Sequence, residues 1–119
     1  MRIEGPALLV RIYIGESDTV DGRPLYDTLV RHLRQRGIHG VSVFRGIEGY
    51  GRSSRVHTTR ILALSEDLPI LIEAVDEADR IRAVLPELEP MIGGGLVTLE
   101  RVEVVVYRAG EVGGTPGAS

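Results

Sequence analysis

Four segments of the chain carry the apolar, β-branched composition that is typical of strands. The first strand is predicted over residues 7–15, where a single charge, Arg11, interrupts an otherwise apolar run. The second is predicted over residues 41–45, where apolar and polar positions alternate with the two-residue period of a pleated strand. The third and fourth are predicted over residues 70–75 and 96–107 from their β-branched content.

Two further segments carry the periodicity of amphipathic helices. The first spans residues 24–36, where Leu25, Leu29 and Leu33 recur at four-residue spacing after a proline that suits a helix start. Gly37 is predicted to end this helix as its C-cap.

The second helix is predicted to begin at Asp76, with Asp79 three residues on in the manner of a capping box. Pro86 lacks a backbone donor and predicts a kink or a break near Leu85. Residues 61–64, which precede this region, are predicted as a short strand or a turn of helix. The apolar stripe of the second helix consists of Ile81, Val84, Leu85 and Leu88.

The order of elements is β-α-β, a long loop, and β-α-β again. Two such halves predict an α+β fold of the ferredoxin-like βαββαβ type, a four-stranded antiparallel sheet with two helices on one face. The strands are apolar on both faces, so we expect the open face to be buried by another copy of the chain. We predict a single domain over residues 1–108 and a disordered tail over residues 109–119.

The composition excludes several kinds of chemistry. The 119 residues include neither cysteine nor lysine, which excludes disulfides, thiol nucleophiles and lysine Schiff bases. The net charge of −3 and the few aromatic side chains count against a nucleic-acid polymer as partner. No apolar run has the length of a membrane span and the N-terminus lacks a signal-peptide pattern, so we expect a cytoplasmic protein.

The second predicted strand continues into a glycine-rich, basic loop. Its exposed amides and guanidinium groups are suited to phosphate or carboxylate oxygens. A mobile, solvated connection has the same composition, and neither the P-loop pattern nor GxGxxG occurs here. The glycines are Gly46, Gly49 and Gly51, and the arginines Arg45, Arg52, Arg55 and Arg60 face a single acid, Glu48.

Among the histidines, His57 in this loop is best placed to bind a metal or a phosphate. His32 and His39 are interpreted as surface or packing residues. Glu16 and Asp18 form an acidic pair after the first strand, a position where such residues often serve for capping alone.

A nucleophile, a base and an orienting group could be assembled from Ser53, Ser54 and His57 with a nearby acid. All three lie on the same loop, which offers no rigid support for a catalytic geometry. We therefore do not expect an enzyme.

Several segments resemble a known family, namely RIYIGESD, PLYDTLVRHLRQRGIHGVSVFRGIEGYG, HTTRILALSEDLPILIEAVD and GGGLVTLERVEV. The order of elements is similar to that of the PII signalling proteins, and residues 5–107 resemble the PII-like DUF190 family. The resemblance implies a trimer with inward-facing sheets and ligand clefts between neighbouring subunits. It also implies a regulatory link to a membrane transporter such as a CrcB-type fluoride exporter.

The resemblance to PII proteins further implies a nucleotide site. A Gly-aromatic-Gly-Arg run at the base of the PII T-loop is matched by residues 49–52, and the glycine-rich B-loop is matched by residues 93–95. The PII B-loop also supplies a lysine, which this chain lacks, so ADP or AMP is at least as plausible an effector as ATP. The implied ligand-binding residues are Arg45, Gly49, Gly51, Arg52, Gly93, Gly94, Gly95 and Arg108.

These features lead to a first hypothesis, a PII-like sensor without an obligatory cofactor. A small anionic effector would order the loop and change the surface offered to a partner protein. The alternatives are a CutA-like trimer that binds a divalent metal through His57 with Glu16 or Asp18, and an adaptor without ligand. The residues of the partner-contact loop are Glu48, Tyr50, Ser53, Ser54, Arg55 and His57.

Overall fold

The computed structural model describes residues 5–50 and 67–110. The predicted element over residues 61–64 and the predicted tail from residue 111 onward lie outside these ranges. Over this part of the chain, neither helix has the length and apolar composition that a membrane span requires. The elements are β1 (Gly5–Gly15), β2 (Thr19–Val20), β3 (Arg23–Pro24), α1 (Leu25–Gln35), β4 (Val41–Arg45), β5 (Pro69–Asp76), α2 (Ala78–Leu88), a short 3-10 helix (Glu89–Met91) and β6 (Leu96–Val104).

The four long strands form one antiparallel sheet in the order β4-β5-β1-β6. β5 and β1 lie at the centre, and β4 and β6 form the two edges. Each helix links two parallel strands that have one further strand between them, which is the split βαβ arrangement. The predicted ferredoxin-like α+β fold is confirmed.

The hydrophobic core lies between the sheet and the two helices. Every second residue of β1 and β5 is buried there, because successive side chains of a strand point to opposite faces. Burial of each such aliphatic side chain stabilises the fold by about 1.5–3 kcal/mol. The buried residues are Leu8, Val10, Ile12 and Ile14 of β1, Ile70, Ile72 and Ala74 of β5, Leu25, Leu29 and Leu33 of α1, and Ile81, Val84 and Leu88 of α2.

α1 begins and ends one residue inside the predicted limits, and its C-cap is Arg36 rather than the predicted Gly37. Pro24 is the N-cap. Gly37 has a φ of +85°, a left-handed conformation that glycine adopts without the steric cost of a Cβ. The N–H of Gly37 donates to the carbonyl of Arg34 at 3.1 Å, and that of Ile38 donates to Leu33 at 3.0 Å. Carbonyl groups of the last turn are thereby satisfied.

A short hairpin of β2 and β3 precedes α1, although the apolar pattern predicts no strand there. It turns at Asp21 and Gly22, whose φ values are +52° and +77°. A two-residue type I′ turn requires positive φ at both positions, and Asp-Gly is among the sequences that favour it. The turn chemistry of this dipeptide is thus the signal for the hairpin.

In α2 the predicted capping box is wrong, and the helix is not broken at Pro86. The helix continues through Pro86 to Leu88 and passes into the 3-10 helix. Pro86 removes one hydrogen bond from the helix because it lacks an N–H, but the helix is continuous at this residue. The predicted capping box of Asp76 and Asp79 does not form either, since the N-cap is Glu77 and no side chain caps it.

β6 ends at Val104, three residues before the predicted limit. Val104 pairs with Gly5, the first described residue of the chain. The two valines that follow are exposed. Tyr107 then lies against Gly40, where an added Cβ would overlap the tyrosine hydroxyl.

The face of the sheet opposite the helices carries an apolar row that crosses all four strands. Phe44, Leu71, Tyr13 and Leu96 are consecutive partners in this row. Phe44 is 50% exposed and Leu96 is 55% exposed. A contiguous exposed apolar row of this kind is typical of a protein interface.

Candidate anion-binding site

The segment that follows β4 is anchored by contacts at both of its ends. The N–H of Gly46 donates to the carbonyl of Pro69 at 2.7 Å, which joins the end of β4 to the start of β5. A Cβ on Gly46 would lie 2.7 Å from Pro69 Cγ, and a Cβ on Gly49 would lie 3.2 Å from the same atom. The loop therefore leaves and re-enters the sheet through a narrow base, which a side chain at Gly46 would force apart.

Arg45, the last residue of β4, is paired with Glu16. Its Nε donates to Glu16 Oε2 at 3.1 Å, and its Nη2 donates to the same oxygen. The side chain of Arg45 is 60% exposed and that of Glu16 is 19% exposed. Because a guanidinium group has five N–H donors, Arg45 retains donors for a second anion, which would share the cation with Glu16.

The turn after β1 is fastened to the chain that enters β5. Asp18 Oδ2 accepts the N–H of Gly15 at 3.0 Å. Asp67 Oδ1 accepts the N–H of Ser17 at 3.1 Å and its hydroxyl at 2.8 Å. The carboxylates of Asp18 and Asp67, which lie beside the base of the loop, therefore accept hydrogen bonds from the turn after β1.

The metal-binding alternative requires His57, which lies outside the described residues. Its other candidate ligands, Glu16 and Asp18, are engaged by Arg45 and Gly15. Among residues 5–50 and 67–110, no three His, Asp or Glu side chains are arranged to hold a metal ion.

Residues 93–95 form an exposed glycine corner between the 3-10 helix and β6. A Cβ on Gly95 would lie 2.6 Å from the carbonyl oxygen of Tyr13, so only glycine fits against β1 at this point. A Cβ on Gly93 would have no heavy atom within 4 Å. Side chains do not shield the backbone of this corner, so its N–H groups can donate hydrogen bonds to an anion.

Arg45 and the glycine corner lie at the same end of the sheet but at opposite edges. Arg45 pairs with Ile70 and Ile70 pairs with Ile14, while Leu96 pairs with Tyr13. Three strand spacings separate the two edges, or about 14 Å. A single copy of the chain therefore does not join these two groups in one site.

Comparison with known proteins establishes the family. The model of DUF190, described as Uncharacterized ACR, matches residues 7–104. The chain belongs to the DUF190 family. UPF0166 proteins of Aquifex aeolicus and Methanocaldococcus jannaschii are 36% identical over 97 residues and 37% identical over 94 residues. These matches cover 82% and 78% of the DUF190 chain and 91% and 86% of the two relatives.

Solved structures confirm the PII-like fold of the DUF190 chain. A PII-like signaling protein of Thermus thermophilus matches with a TM-score of 0.61 and 20% identity, over 85% of this chain and 91% of that one. CPII of Thiomonas intermedia, solved with bound ADP and bicarbonate, matches with a TM-score of 0.62 and 15% identity. That match covers 87% of this chain and 91% of CPII.

Within the described part of the DUF190 chain, Arg108 lies away from Arg45 and from the glycine corner. It follows Tyr107, which contacts Gly40 just before β4 begins. Arg45 is at the far end of β4, and the glycine corner precedes β6, whose other end leads to Arg108. The role of Arg108 in ligand binding stays a prediction.

The predicted partner-contact loop of the DUF190 chain is described only at its start. Glu48 and Tyr50 are exposed, and the neighbouring Ile47, which the sequence reasoning missed, is 94% exposed. The remaining predicted loop and ligand residues, Gly51, Arg52, Ser53, Ser54, Arg55 and His57, lie outside the described ranges.

At the centre of the open face, an arginine lies between two carboxylates. Arg11 Nε donates to Glu73 Oε2 at 3.0 Å, and its Nη1 donates to Glu100 Oε1 at 3.1 Å. The hydrogen bond to Glu73 is the chief cause that raises the pKa of Arg11. The charge of Arg11 is visible in the sequence, but its partners follow only from the strand register.

Proposed function

We propose that this DUF190 protein is a PII-like sensor that binds a small anionic ligand between copies of the chain. The proposal rests on the placement of Arg45 and the glycine corner at one end of the sheet but at opposite edges. Head-to-tail assembly brings such edges together. A ligand between two copies then meets a guanidinium group and free backbone amides at once.

The proposed assembly is a homotrimer with the open faces of the sheets turned inward. The exposed apolar row of Phe44, Leu71, Tyr13 and Leu96 supports this arrangement, because burial of these side chains stabilises association. The number of copies is the one that the PII resemblance implies.

The proposed ligand is an adenine nucleotide. CPII of Thiomonas intermedia, which shares the fold, was solved with ADP and bicarbonate. The DUF190 chain has no lysine to offer to a third phosphate, so we expect ADP or AMP to bind at least as tightly as ATP. The nucleotide acts as an effector rather than as an obligatory cofactor.

In the proposed response, the ligand changes the conformation of the loop after β4. Glu48 and Tyr50 are exposed at the start of this loop, where a partner protein has access to them. The proposed partner class, a membrane transporter such as a CrcB-type fluoride exporter, comes from the family resemblance.

Isothermal titration calorimetry with ADP, AMP, ATP and bicarbonate tests the proposal. Arg45→Ala and Arg52→Ala are each expected to weaken nucleotide binding by about 1.5–3 kcal/mol, the usual loss for a hydrogen bond to a charged group. Arg31→Ala is the matched control, because Arg31 also pairs with a carboxylate, Asp27, but lies on α1.

Equal nucleotide affinity for the parent and for both arginine variants would remove these residues from the site. A thermal shift with divalent metal ions and none with nucleotides would favour the CutA-like alternative. The absence of any shift would favour the adaptor.

A further inference from the structure

A carboxylate lies directly beside the cation of the candidate site. Arg45 donates from its Nε and from its Nη2 to a single oxygen of Glu16, Oε2. The side chain of Arg45 is largely exposed, whereas that of Glu16 is mostly buried. An anion can therefore approach the guanidinium group from the solvent while Glu16 holds it from the protein side.

Glu16 is fixed by the backbone on which it lies. Its N–H donates to the carbonyl of Leu68 at 2.8 Å. The preceding residue, Gly15, is paired with Pro69 in the sheet. A carboxylate on a free loop would move away from an arriving anion, but this backbone and the burial of the side chain keep Glu16 beside Arg45. The negative charge of Glu16 is thus a permanent part of the site.

Two further carboxylates lie at the same turn. A Cβ on Gly15 would lie 2.7 Å from Asp67 Oδ1 and 3.2 Å from Asp18 Oδ1. Both carboxylates therefore lie close to the residue that precedes Glu16, and their charge adds to that of Glu16. The guanidinium group of Arg45 is thus next to three carboxylates.

This arrangement penalises a ligand according to its charge. Two like unit charges about 7 Å apart weaken binding about threefold even at the dielectric constant of water, and more strongly at a lower one. The repulsion grows with each negative charge that the ligand carries. The compensating hydrogen bonds from Arg45 do not grow with it, because the number of guanidinium donors is fixed. An anion of low charge is therefore favoured.

We propose that Glu16 is a specificity-determining residue, which limits the charge of the anion that Arg45 accepts. Removal of its charge opens the site to anions in the order of their charge. This inference rests on the proposed function, which assigns Arg45 to the site, and it adds a cause for the preference for ADP or AMP over ATP. That cause is separate from the absence of lysine.

Glu16→Gln tests the inference. Glutamine has the size of glutamate and keeps a carbonyl oxygen that accepts a hydrogen bond from Arg45, so the variant removes little besides the charge. Calorimetry with AMP, ADP and ATP is carried out in EDTA, because Mg²⁺ binds phosphates and would neutralise them. The ratio of ATP affinity to AMP affinity is expected to be at least about threefold higher in the variant than in the parent.

Glu77→Gln is the matched control. Glu77 also lies beside an arginine, Arg80, but it follows the end of β5, whereas Arg45 pairs with Ile70 near the start of that strand. Its ratio of ATP affinity to AMP affinity is expected to equal that of the parent.

Salt separates an effect of charge from an effect of shape. The gain in ratio is expected to diminish strongly between about 0.1 M and about 1 M sodium chloride, as the Debye length falls from about 10 Å to about 3 Å. A change in the packing of Arg45 would alter the three affinities alike. A gain in ratio that is unchanged at high salt would overturn the role of Glu16.

Orthophosphate, pyrophosphate and tripolyphosphate form a second series of probes without adenosine, followed by the melting temperature. If Glu16→Gln gains affinity for this series in order of charge while no variant binds nucleotides, the role of Glu16 is supported and the nucleotide proposal is contradicted. Nucleotide binding with the same ratio in the parent and in Glu16→Gln would overturn the role of Glu16 and leave the nucleotide proposal intact. If none of the proteins binds either series, both are overturned.

Discussion

At the scale of single residues, Asp76 joins three parts of the fold. Its side chain is fully buried. Its Oδ2 accepts the backbone N–H and the Nδ1 of His39, both at 2.9 Å, and its Oδ1 accepts the N–H of Glu77 at 2.7 Å. A buried carboxylate is tolerated only when it is hydrogen-bonded in this way. The carboxylate thereby connects the end of β5 with the start of α2 and with the turn before β4.

Asp76→Ala is expected to lower the free energy of unfolding by about 1.5–3 kcal/mol, because it removes the charged acceptor of two backbone N–H groups, those of His39 and Glu77. Urea denaturation at a fixed protein concentration measures the change. Asp79→Ala is the control, since Asp79 is exposed in the first turn of α2. A loss no larger than that of the control would show that water replaces the carboxylate.

Gly95→Ala is expected to destabilise the protein by about 1–3 kcal/mol, the usual cost of forcing extra volume into a packed site. The new Cβ would lie 2.6 Å from a backbone oxygen of Tyr13, which cannot turn aside as a flexible side chain would. Gly110→Ala, where a Cβ would meet nothing within 4 Å, serves as the control. Equal melting temperatures for the two variants would contradict this packing argument.

At the scale of elements, α1 and α2 are joined by one carboxylate. Glu87 Oε1 lies 2.7 Å from His32 Nε2 and accepts Arg36 Nε at 2.8 Å. The hydrogen bond with His32 is the first cause that lowers the pKa of Glu87, and the bond from Arg36 is the second. The folded state therefore favours ionised Glu87.

The resulting pH dependence has a definite sign. A carboxyl group with a lowered pKa contributes stability above its ordinary value of 4.5, and this contribution is lost as the pH falls through the folded-state pKa. Glu87→Gln is therefore expected to lower the melting temperature near neutral pH and to have less effect at about pH 3. Glu48→Gln, at an exposed loop position, is the control. A Glu87→Gln effect that stays constant with pH would contradict the assignment.

At the scale of the whole molecule, the ion pairs of Arg11 on the open face affect assembly. Arg11 separates Glu73 from Glu100 on the face that we propose to be buried between copies. Arg11→Ala leaves two carboxylates there without a cation, and burial of unpaired charge costs several kcal/mol. The protein concentration needed for assembly is expected to rise more than about tenfold.

Analytical ultracentrifugation over a dilution series measures this shift. Arg31→Ala again removes an arginine that pairs with a carboxylate, but from the outer side of α1. Assembly of Arg11→Ala at the parent concentration would place the interface elsewhere.

The fold could be predicted from the sequence because its periodicities agree with its tertiary structure. The leucine spacing of α1 and the β-branched runs of β1 and β5 correspond to the residues that form the core. The errors occur where local preference and context diverge. Pro86 signals a helix end in isolation, but α2 continues past it to Leu88, and β6 ends at Val104 although the β-branched run continues beyond it.

The candidate site could be predicted only in part. Glycine and arginine content identifies the loop base and the glycine corner, since these residue types are suited to anions. The pairing of Arg45 with Glu16 could not be predicted, because residues 29 apart meet only through the order of the strands. The contacts of Arg11 and His39 depend on register in the same way.

The bond between Gly46 and Pro69 has a consequence for how such proteins diverge. Gly46 and Pro69 hold the two ends of the intervening segment together at the sheet. The stability of the fold therefore depends little on the length of this segment, because each doubling of a loop costs only about 0.6 kcal/mol in closure entropy. Insertions and deletions between these ends can therefore accumulate without harm to the scaffold. Relatives can acquire new binding preferences in that stretch while the framework beneath it stays the same.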